Sequence, residues 1–205
     1  MAKIKLTKGE LKRQRDALKQ FERYLPTLQL KKQQLQLEIL QQNLILEEKK
    51  RVLDQKKQAI YLWAGLLADT QINLKSFLKV DKIQTRIKNI AGVDIVLLVA
   101  LAFKYQELDL FSTPLWADGA IIALQEVIIL QEEIVLLNQG VVLLRQELRV
   151  TSQRVNLFEK VKIPEAQENI RQIKIYIGDQ LANAVGRSKI AKRKIEALVL
   201  EEVAV

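Results

Sequence analysis

The chain has 205 residues but only 7 Gly and 3 Pro, so few turns are available and its secondary-structure elements must be long. Aromatic residues make up 5% of the chain and apolar residues 49%, a composition typical of extended helices when Leu, Ile, Lys, Gln and Glu dominate. The absence of Cys and His excludes disulfide scaffolds, thiol chemistry, His-based catalysis and the common zinc sites.

The first predicted element is a coiled-coil helix over residues 1–79. From Ile4 to Leu74, one heptad position is Leu or Ile at ten of its eleven occurrences, and Lys32 is the exception. At about 1.5 Å per residue, a helix of this extent is roughly 110 Å long. Pro26 lies inside it and frees the carbonyl of Glu22, so we expect a bend at this proline.

The second predicted element is a small module over residues 80–113. The IQTRIK stretch at 83–88 alternates apolar and polar residues, and so does LDLF at 108–111. This alternation predicts a β-hairpin or short irregular module over about 81–111, although 95–101 also fits a short helix. Ser112 precedes Thr113 and Pro114, and a hydroxyl residue followed by proline predicts the start of the next helix.

The third predicted element is a second coiled-coil helix over residues 114–205. Its heptad runs from Val127 to Val155 and resumes at Ile163, beside Pro164. The interval from Val155 to Ile163 is eight residues rather than seven. The register therefore slips by one residue next to the proline, and we expect a second bend at Pro164.

Two heptad helices joined by a short module fold back on one another. The predicted fold class is therefore all-α dominated, with a long antiparallel two-helix coiled coil and a small β-hairpin or irregular module between the helices. We expect Leu46 to face Leu144 and Phe21 to face Ile170, although pairings displaced by a whole heptad fit the apolar pattern almost as well. In this register Pro26 lies level with Pro164, which predicts either bends at one height or two tolerated surface kinks.

The net charge of +9 is concentrated near both ends of the chain. Residues 1–32 hold ten Lys and Arg against three acidic residues, and residues 160–195 hold nine against three. If the two ends lie side by side, they form one strongly basic end. Such an end suits either nucleic acid or an acidic protein cavity, and no aromatic residues interleave with the charges to favour nucleic acid.

Sequence motifs for catalysis and segments that could span a membrane are weakly represented in this sequence. The glycines are scattered singly, so no phosphate-binding loop is present, and carboxylate pairs such as Glu47-Glu48 fit solvated helix faces. We therefore expect neither an enzyme nor a bound cofactor or metal. No apolar run reaches the roughly 18 to 20 residues of a membrane span, and the N-terminus lacks an apolar signal core, so we expect a soluble intracellular protein.

The segment at 120–144 is apolar over four adjacent heptad positions rather than two. One partner helix does not cover so wide a stripe. The hairpin module, a simple oligomer or a separate protein partner would cover the rest. Lys49 and Lys56 occupy interface positions on the first helix, which leaves room for a third element there.

Two stretches carry a resemblance to a known family. LTKGELKRQRDALKQFERYLPTLQLKKQQL at 6–35 and RVNLFEKVKIPEAQENIRQIKIYIGDQ at 154–180 resemble the D subunit of the V-type (A/V-type) rotary ATPases of bacteria and archaea. The Arg-Val-Asn, Glu, Ile-Pro and Ile-x-x-Ile pattern of the second stretch is the more specific of the two. The resemblance implies a central rotor shaft made of an antiparallel coiled coil with a hairpin-bearing insert.

The resemblance also implies partners and the residues that contact them. The termini would enter a catalytic hexamer of A and B subunits, the shaft would carry the small F subunit, and the opposite end would rest on a connector to the membrane ring. The implied hexamer contacts are basic: Lys12, Arg13, Arg15, Lys189, Lys192, Arg193 and Lys194. The implied seat of the F subunit or the connector is the apolar stripe with its opposite residues: Tyr61, Trp63, Ile128, Ile129, Val135, Leu136, Val142 and Leu143.

The function that the resemblance implies is a non-catalytic rotor subunit, cytoplasmic and peripheral to the membrane, that couples ATP hydrolysis or synthesis to ring rotation. Two alternatives stay open at this point. One is the coiled-coil stalk of a type III export ATPase, which lacks the hairpin insert. The other is a basic coiled-coil scaffold that binds nucleic acid. An F-type rotor is disfavoured because about 30 residues between the helices are too few for its α/β domain.

Overall fold

The computed structural model describes residues 4–68, 74–104 and 113–203. Within these ranges the chain forms, in order, helix α1 (Lys8–Tyr61), short 3₁₀ helices (Ala64–Ala68 and Leu74–Ser76), strands β1 (Val80–Ile90) and β2 (Val93–Phe103), helix α2 (Ala117–Leu157), a π-helical turn (Phe158–Lys162) and helix α3 (Ile163–Val203). The predicted fold class is confirmed, since long helices flank a small antiparallel two-stranded sheet.

Helix α1 ends earlier than the apolar repeat predicts. Its last residue is Tyr61, well before Phe77, and the chain then tightens into 3₁₀ geometry. The N–H of Trp63 donates to the carbonyl of Ile60 at 3.1 Å, three residues back. Gly65 lies two residues after Trp63, and glycine disfavours a helix interior by about 1 kcal/mol relative to alanine. Local propensity therefore ends the α-helix although apolar residues continue beyond it.

Helix α2 begins at Ala117, slightly after the predicted start at 114. The Ala117 N–H donates to the carbonyl of Pro114 at 3.0 Å, so a turn precedes the helix. The predicted cap at Ser112 and the LDLF run at 108–111 lie outside the described residues.

The hairpin is built from two eleven-residue strands rather than from a strand and a short helix. Ile90 pairs with Val93 at its closed end, which leaves Ala91 and Gly92 as a two-residue turn. Both turn residues have positive φ, 50° for Ala91 and 82° for Gly92. This is the geometry of a type I′ turn, whose twist matches that of the paired strands.

The chain divides into two compact units. One unit holds the described residues up to Gln29 and from Gln153 onward, and the other holds Leu30–Ser152. The core of the second unit joins the hairpin to both helices: Leu35 of α1 and Leu144 of α2 are fully buried, and Ile90 and Ile95 of the hairpin pack with them. A further cluster in this unit joins α1 to α2 alone, through Leu53, Val127 and Ile134.

The predicted register of α1 against α2 is wrong by about one heptad. Lys49 Nζ lies 2.9 Å from Glu133 Oε2, which places Leu46 closer to the level of Leu137 than to that of Leu144. The apolar repeat does not distinguish these registers, because Leu or Val stands at the interface position of each heptad involved. The polar pairing does distinguish them.

The predicted pairing in the first unit is also wrong. Phe21 stacks on Phe158 with ring centroids 5.3 Å apart, rather than facing Ile170. The Asn169 side-chain amide donates to Gln14 Oε1 at 3.5 Å, so these two residues lie level.

The prolines consequently do not lie at one height. Since Gln14 is level with Asn169, Pro164 lies near residue 19 of α1, about two helical turns from Pro26. Pro26 lies inside α1, which continues on both sides of it. The expected bends at Pro26 and Pro164 stay predictions.

The predicted one-residue slip beside Pro164 is confirmed, and its form is a π turn over Phe158–Lys162. The N–H of Ile163 donates to the carbonyl of Phe158, five residues back, instead of four. A π turn accommodates one extra residue without ending the helix. Pro164 follows in the first turn of α3, and because it has no N–H it donates no helical bond to the carbonyls of the preceding turn.

Candidate functional surfaces

The N-terminal basic residues lie on the first turns of α1. Thr7 caps this helix, because its Oγ1 accepts a hydrogen bond from the Glu10 N–H at 3.3 Å. Lys12, Arg13 and Arg15 follow, and all three side chains are exposed. Arg13 lies 3.9 Å from the Glu10 carboxylate, a loose surface pair that leaves most of its charge facing solvent.

The C-terminal basic residues lie on the last part of α3. Lys189, Lys192, Arg193 and Lys194 are all exposed. Lys192 lies 3.7 Å from Glu196 one turn on, and this is again a surface pair. The described residues from Gly178 to Ala197 are all exposed.

The structure does not bring the two basic groups together. A depression of about 950 Å³ is lined by Lys8, at the start of α1, and by residues of α3 as far as Arg187. Helix α1 therefore begins between the levels of Tyr176 and Arg187. From its start, the basic residues of α1 run toward the level of Asn169, which contacts Gln14. Lys189–Lys194 lie further along α3 in the opposite direction, beyond the start of α1. The expectation of one compact basic end is thus replaced by two groups separated along α3.

The predicted apolar stripe divides into inward and outward residues. Val127, Leu130 and Ile134 pack against Leu53 and Ile60 of α1. The outward part is a shallow apolar groove on α2, lined by Val135, Asn138, Gln139, Val142 and Leu143. Ile128, Ile129 and Leu136 are half-buried, at the border between these two faces.

Two predicted stripe residues lie elsewhere, at the end of α1. Trp63 lines a small cleft with Trp116 and Gly119, and it is half-buried. Tyr61 is 74% exposed beside it, and Leu62 is 90% exposed. The structure therefore places Tyr61 and Trp63 at a separate apolar surface from the groove on α2.

Sequence reasoning missed an exposed apolar surface on α1. Leu30, Leu37, Leu40 and Leu44 are each more than half exposed and share one face of the helix. The signal was present: Leu30, Leu37 and Leu44 repeat every seven residues, out of phase with the interface positions. A second leucine heptad on one helix indicates a second packing surface.

One carboxylate in the first unit has a shifted pKa. Arg171 donates two hydrogen bonds of 2.8 Å to Glu168, and Gln172 donates a third at 3.1 Å. These bonds, chiefly that from Arg171, lower the pKa of Glu168, because they favour its charged form. The groups lie one turn apart on an exposed helix face, so they stabilise the surface of α3 rather than form a reactive pair.

Metal and membrane sites are not found in the part of the chain that the structure describes. No group of His, Cys, Asp and Glu side chains there has the arrangement of a metal site. Among the described helices, none combines the length and apolar character needed to cross a lipid bilayer.

Comparison with known proteins decides the family. The family model of the ATP synthase D subunit matches residues 10–193. The chain belongs to the ATP synthase D-subunit family. The V-type ATP synthase D subunit of Borreliella burgdorferi is 45% identical over 195 residues, which cover 95% of this chain and 96% of that protein.

Members from chlamydiae are also similar over nearly their whole length. The V-type ATP synthase D subunit of Chlamydia trachomatis serovar L2 is 32% identical over 197 residues, covering 95% of this chain and 97% of its own. That of Chlamydia pneumoniae is 33% identical over 196 residues, covering 94% and 93%. The family thus spans both coiled-coil helices and the hairpin, and the resemblance noted at 6–35 and 154–180 is confirmed.

Proposed function

We propose that this chain is the central-stalk rotor subunit of a V-type rotary ATPase, in which it couples ATP hydrolysis or synthesis in a catalytic hexamer to rotation of the membrane ring. The observation that carries the proposal is the family match over residues 10–193, together with relatives named as the D subunit of V-type ATP synthases. The match disfavours the type III export stalk and the nucleic-acid scaffold. The subunit itself performs no catalysis and works in the cytoplasm, peripheral to the membrane.

The physical requirement of a rotor is resistance to twisting, and this chain supports it through paired helices. Leu53, Val127 and Ile134 form a buried interface between α1 and α2. Fully buried Leu35 and Leu144 add a second, into which the hairpin inserts. Close-packed interiors of this kind have low compressibility and transmit strain.

The proposed contacts with the hexamer of A and B subunits are electrostatic. Lys12, Arg13 and Arg15 on α1 and the exposed cations from Lys189 to Lys194 on α3 carry charge toward solvent. A basic rotor surface inside a ring is attracted to acidic linings while it turns, without the tight packing that would hold it in one position.

The proposed seats of the remaining subunits are apolar. The groove around Val142 suits the F subunit, and the surface of Tyr61 and Trp63 at the end of α1 suits the connector to the ring. These two surfaces are apolar and lie in different places, so one chain has room for both partners.

Co-expression of the tagged chain with candidate A, B, F and connector subunits tests this function. We expect the five proteins to co-purify and ATP hydrolysis to rotate a bead attached to this chain. Val142→Asp should release the F subunit while the A and B subunits remain bound, because a charge in an apolar contact is costly to desolvate. The matched control is Gln58→Asp, which adds the same charge at an exposed position of α1.

Two outcomes would count against this proposal. The first is a hexamer that assembles and turns over ATP normally but excludes this chain. The second is tight binding of the isolated chain to DNA or RNA with steep salt dependence, which would favour the nucleic-acid scaffold.

A further inference from the structure

Three lysines of α1 form ion pairs with three glutamates of α2 in the second unit. Lys31 pairs with Glu147 at 2.7 Å, Lys49 with Glu133 at 2.9 Å, and Lys56 pairs with Glu126. The side chains of Lys49 and Glu133 are 36% and 28% exposed, so both lie at the border of the interface. Partly exposed ion pairs of this kind add little to the stability of a fold. Stability alone therefore does not account for the three pairs.

The apolar residues between the helices do not define one register. Leu46, Leu53 and Ile60 follow each other at intervals of seven on α1, and so do Val127 and Ile134 on α2. If α1 slides along α2 by one heptad, about 10 Å, Leu46, Leu53 and Ile60 move to places that apolar residues of the same heptad position now occupy. This heptad position therefore packs nearly equally well in three neighbouring registers, whereas one of the two slides also moves Gln42 to the fully buried place of Leu35.

Sliding α1 in one direction brings Lys56 to Glu133 and places Lys49 where Gln42 now lies. That position is 7% exposed and lies level with Gly140, against which Ile95 of the hairpin packs. Gln42 satisfies its amide there by donating to Glu38 at 3.2 Å. After the slide Ile45 replaces Glu38, so Lys49 would be buried against apolar atoms without its carboxylate.

Sliding α1 in the other direction brings Lys49 to Glu126 and moves Lys56 past the present end of α1 at Tyr61, to the neighbourhood of Trp63. Trp63 lines the cleft with Trp116 and Gly119, so that position is largely apolar. The lysine would again lose its glutamate and be partly desolvated. Each slide therefore replaces the two native ion pairs with one new pair and leaves the other lysine in an unfavourable place.

We propose that the Lys49–Glu133 and Lys56–Glu126 pairs fix the register of α1 against α2, and that they do so at the expense of some stability. A polar residue at an interface position of a coiled coil has this effect, since it favours one alignment over others that pack equally well. This inference concerns the chain alone and does not depend on the proposed function.

The test replaces both pairs with leucine in the full chain: Lys49→Leu, Lys56→Leu, Glu126→Leu and Glu133→Leu. Spin labels on Cys substituted at Leu37 and Ile122 report the register, since both positions are exposed and the chain has no native Cys. These labels lie roughly 35 Å apart along the helices, and a heptad slide changes that separation by about 10 Å. Dilution with unlabelled chain removes distances between molecules.

The parent chain should give one distance. The leucine variant should melt at a higher temperature and show additional distances in at least about a tenth of the molecules, a ratio that corresponds to ~1.4 kcal/mol between registers. The matched control exchanges the charges: Lys49→Glu with Glu133→Lys, and Lys56→Glu with Glu126→Lys. It carries as many substitutions but keeps both attractions, so it should show one distance.

Three results would overturn the proposal. A leucine variant with one distance and full helix content would mean that hairpin packing fixes the register instead. Additional distances in the charge-exchanged control would mean that the pairs do not select it. A leucine variant that loses its helix would mean that the ion pairs are needed for stability, whereas the proposal states that they lower it.

Discussion

The N–H of Ile163 donates a hydrogen bond to the carbonyl of Phe158, five residues earlier in the chain. This bond closes the π turn between α2 and α3, and it absorbs the one extra residue between Val155 and Ile163. Val155 on one side of the turn and Ile170 on the other are both buried. The turn therefore keeps the apolar residues of both helices in phase with α1.

The first prediction is that deletion of Lys160 removes the π turn without harm. The interval from Val155 to Ile163 then becomes seven residues, which a regular α-helix accommodates in phase. We expect the free energy of unfolding to change by less than about 1 kcal/mol, since π geometry is rare and no apolar residue changes its face. Chemical denaturation measures this change, and hydrogen exchange at Ile163 reports the turn.

The matched control is deletion of Gln167, which is also exposed but lies within α3. It rotates Ile170 and Ile173 by about 100° away from the interface. Exposure of these two buried side chains should lower the free energy of unfolding by roughly 3 kcal/mol. Equal losses in both deletion variants would contradict the role assigned to the π turn.

The second prediction concerns the turn of the hairpin. Ala91 has φ of 50°, a conformation that a β-branched residue adopts only with strain. We expect Ala91→Val to lower the free energy of unfolding by about 1–2 kcal/mol. Ala91→Gly loses the methyl group but fits the positive φ, so it should cost less than about 0.5 kcal/mol. Thermal unfolding of the two variants compares them, and a valine variant as stable as the glycine variant would exclude strain at this turn.

The amino-acid sequence was sufficient to predict the helices, the hairpin and the slip beside Pro164, because each depends on local spacing. Heptad repeats and strand alternation identify an element wherever it packs. The register was predicted wrongly because Leu46 meets an apolar residue of α2 in any heptad alignment. The Lys49–Glu133 and Lys56–Glu126 pairs distinguish the alignments, and pairings between distant parts of the chain are not visible in local spacing.

The surfaces were predicted less well than the elements, for a related reason. Val142 and Leu143 were predicted on a stripe with Trp63, but the end of α1 at Tyr61 separates the groove on α2 from the cleft around Trp63. The end of that helix depends on weak local propensities near Gly65 rather than on the apolar pattern. The basic residues at 12–15 and 189–194 were predicted to form one basic end, but they lie apart. The cause is the same as for the register, since their relative height follows from the pairing of α1 with α3.

The third prediction separates the core of α1 from its exposed leucines. Leu35 is fully buried, and Leu35→Ala should lower the free energy of unfolding by about 3 kcal/mol through the cavity it leaves. Leu37 is 63% exposed, so Leu37→Ala should change stability by less than about 0.5 kcal/mol. If the leucine surface of α1 contacts another protein of the complex, the same Leu37→Ala change should weaken co-purification by about tenfold. Leu37→Ala that destabilises the isolated chain as much as Leu35→Ala would place Leu37 in the core instead.

The fourth prediction tests how closely the hairpin approaches α2. A Cβ atom added at Gly140 would lie 3.5 Å from Ile95 Cγ2, which is ordinary van der Waals contact, so alanine fits without a shift of the strand. Because alanine favours the helix by about 1 kcal/mol over glycine, Gly140→Ala should raise the melting temperature. Gly140→Leu exceeds the space beside Ile95, which is only 2% exposed, and should lower the free energy of unfolding by about 1–3 kcal/mol.

Hydrogen exchange in strand β2 locates the effect of these two variants. Protection of the Ile95 amide should be unchanged in Gly140→Ala and reduced in Gly140→Leu, because the larger side chain displaces the hairpin from α2. The control is Gly178→Ala in α3, where an added Cβ meets no atom within 4 Å, so only the helix preference should act. If Gly140→Leu left both stability and Ile95 protection unchanged, the hairpin would not pack on α2 at this position.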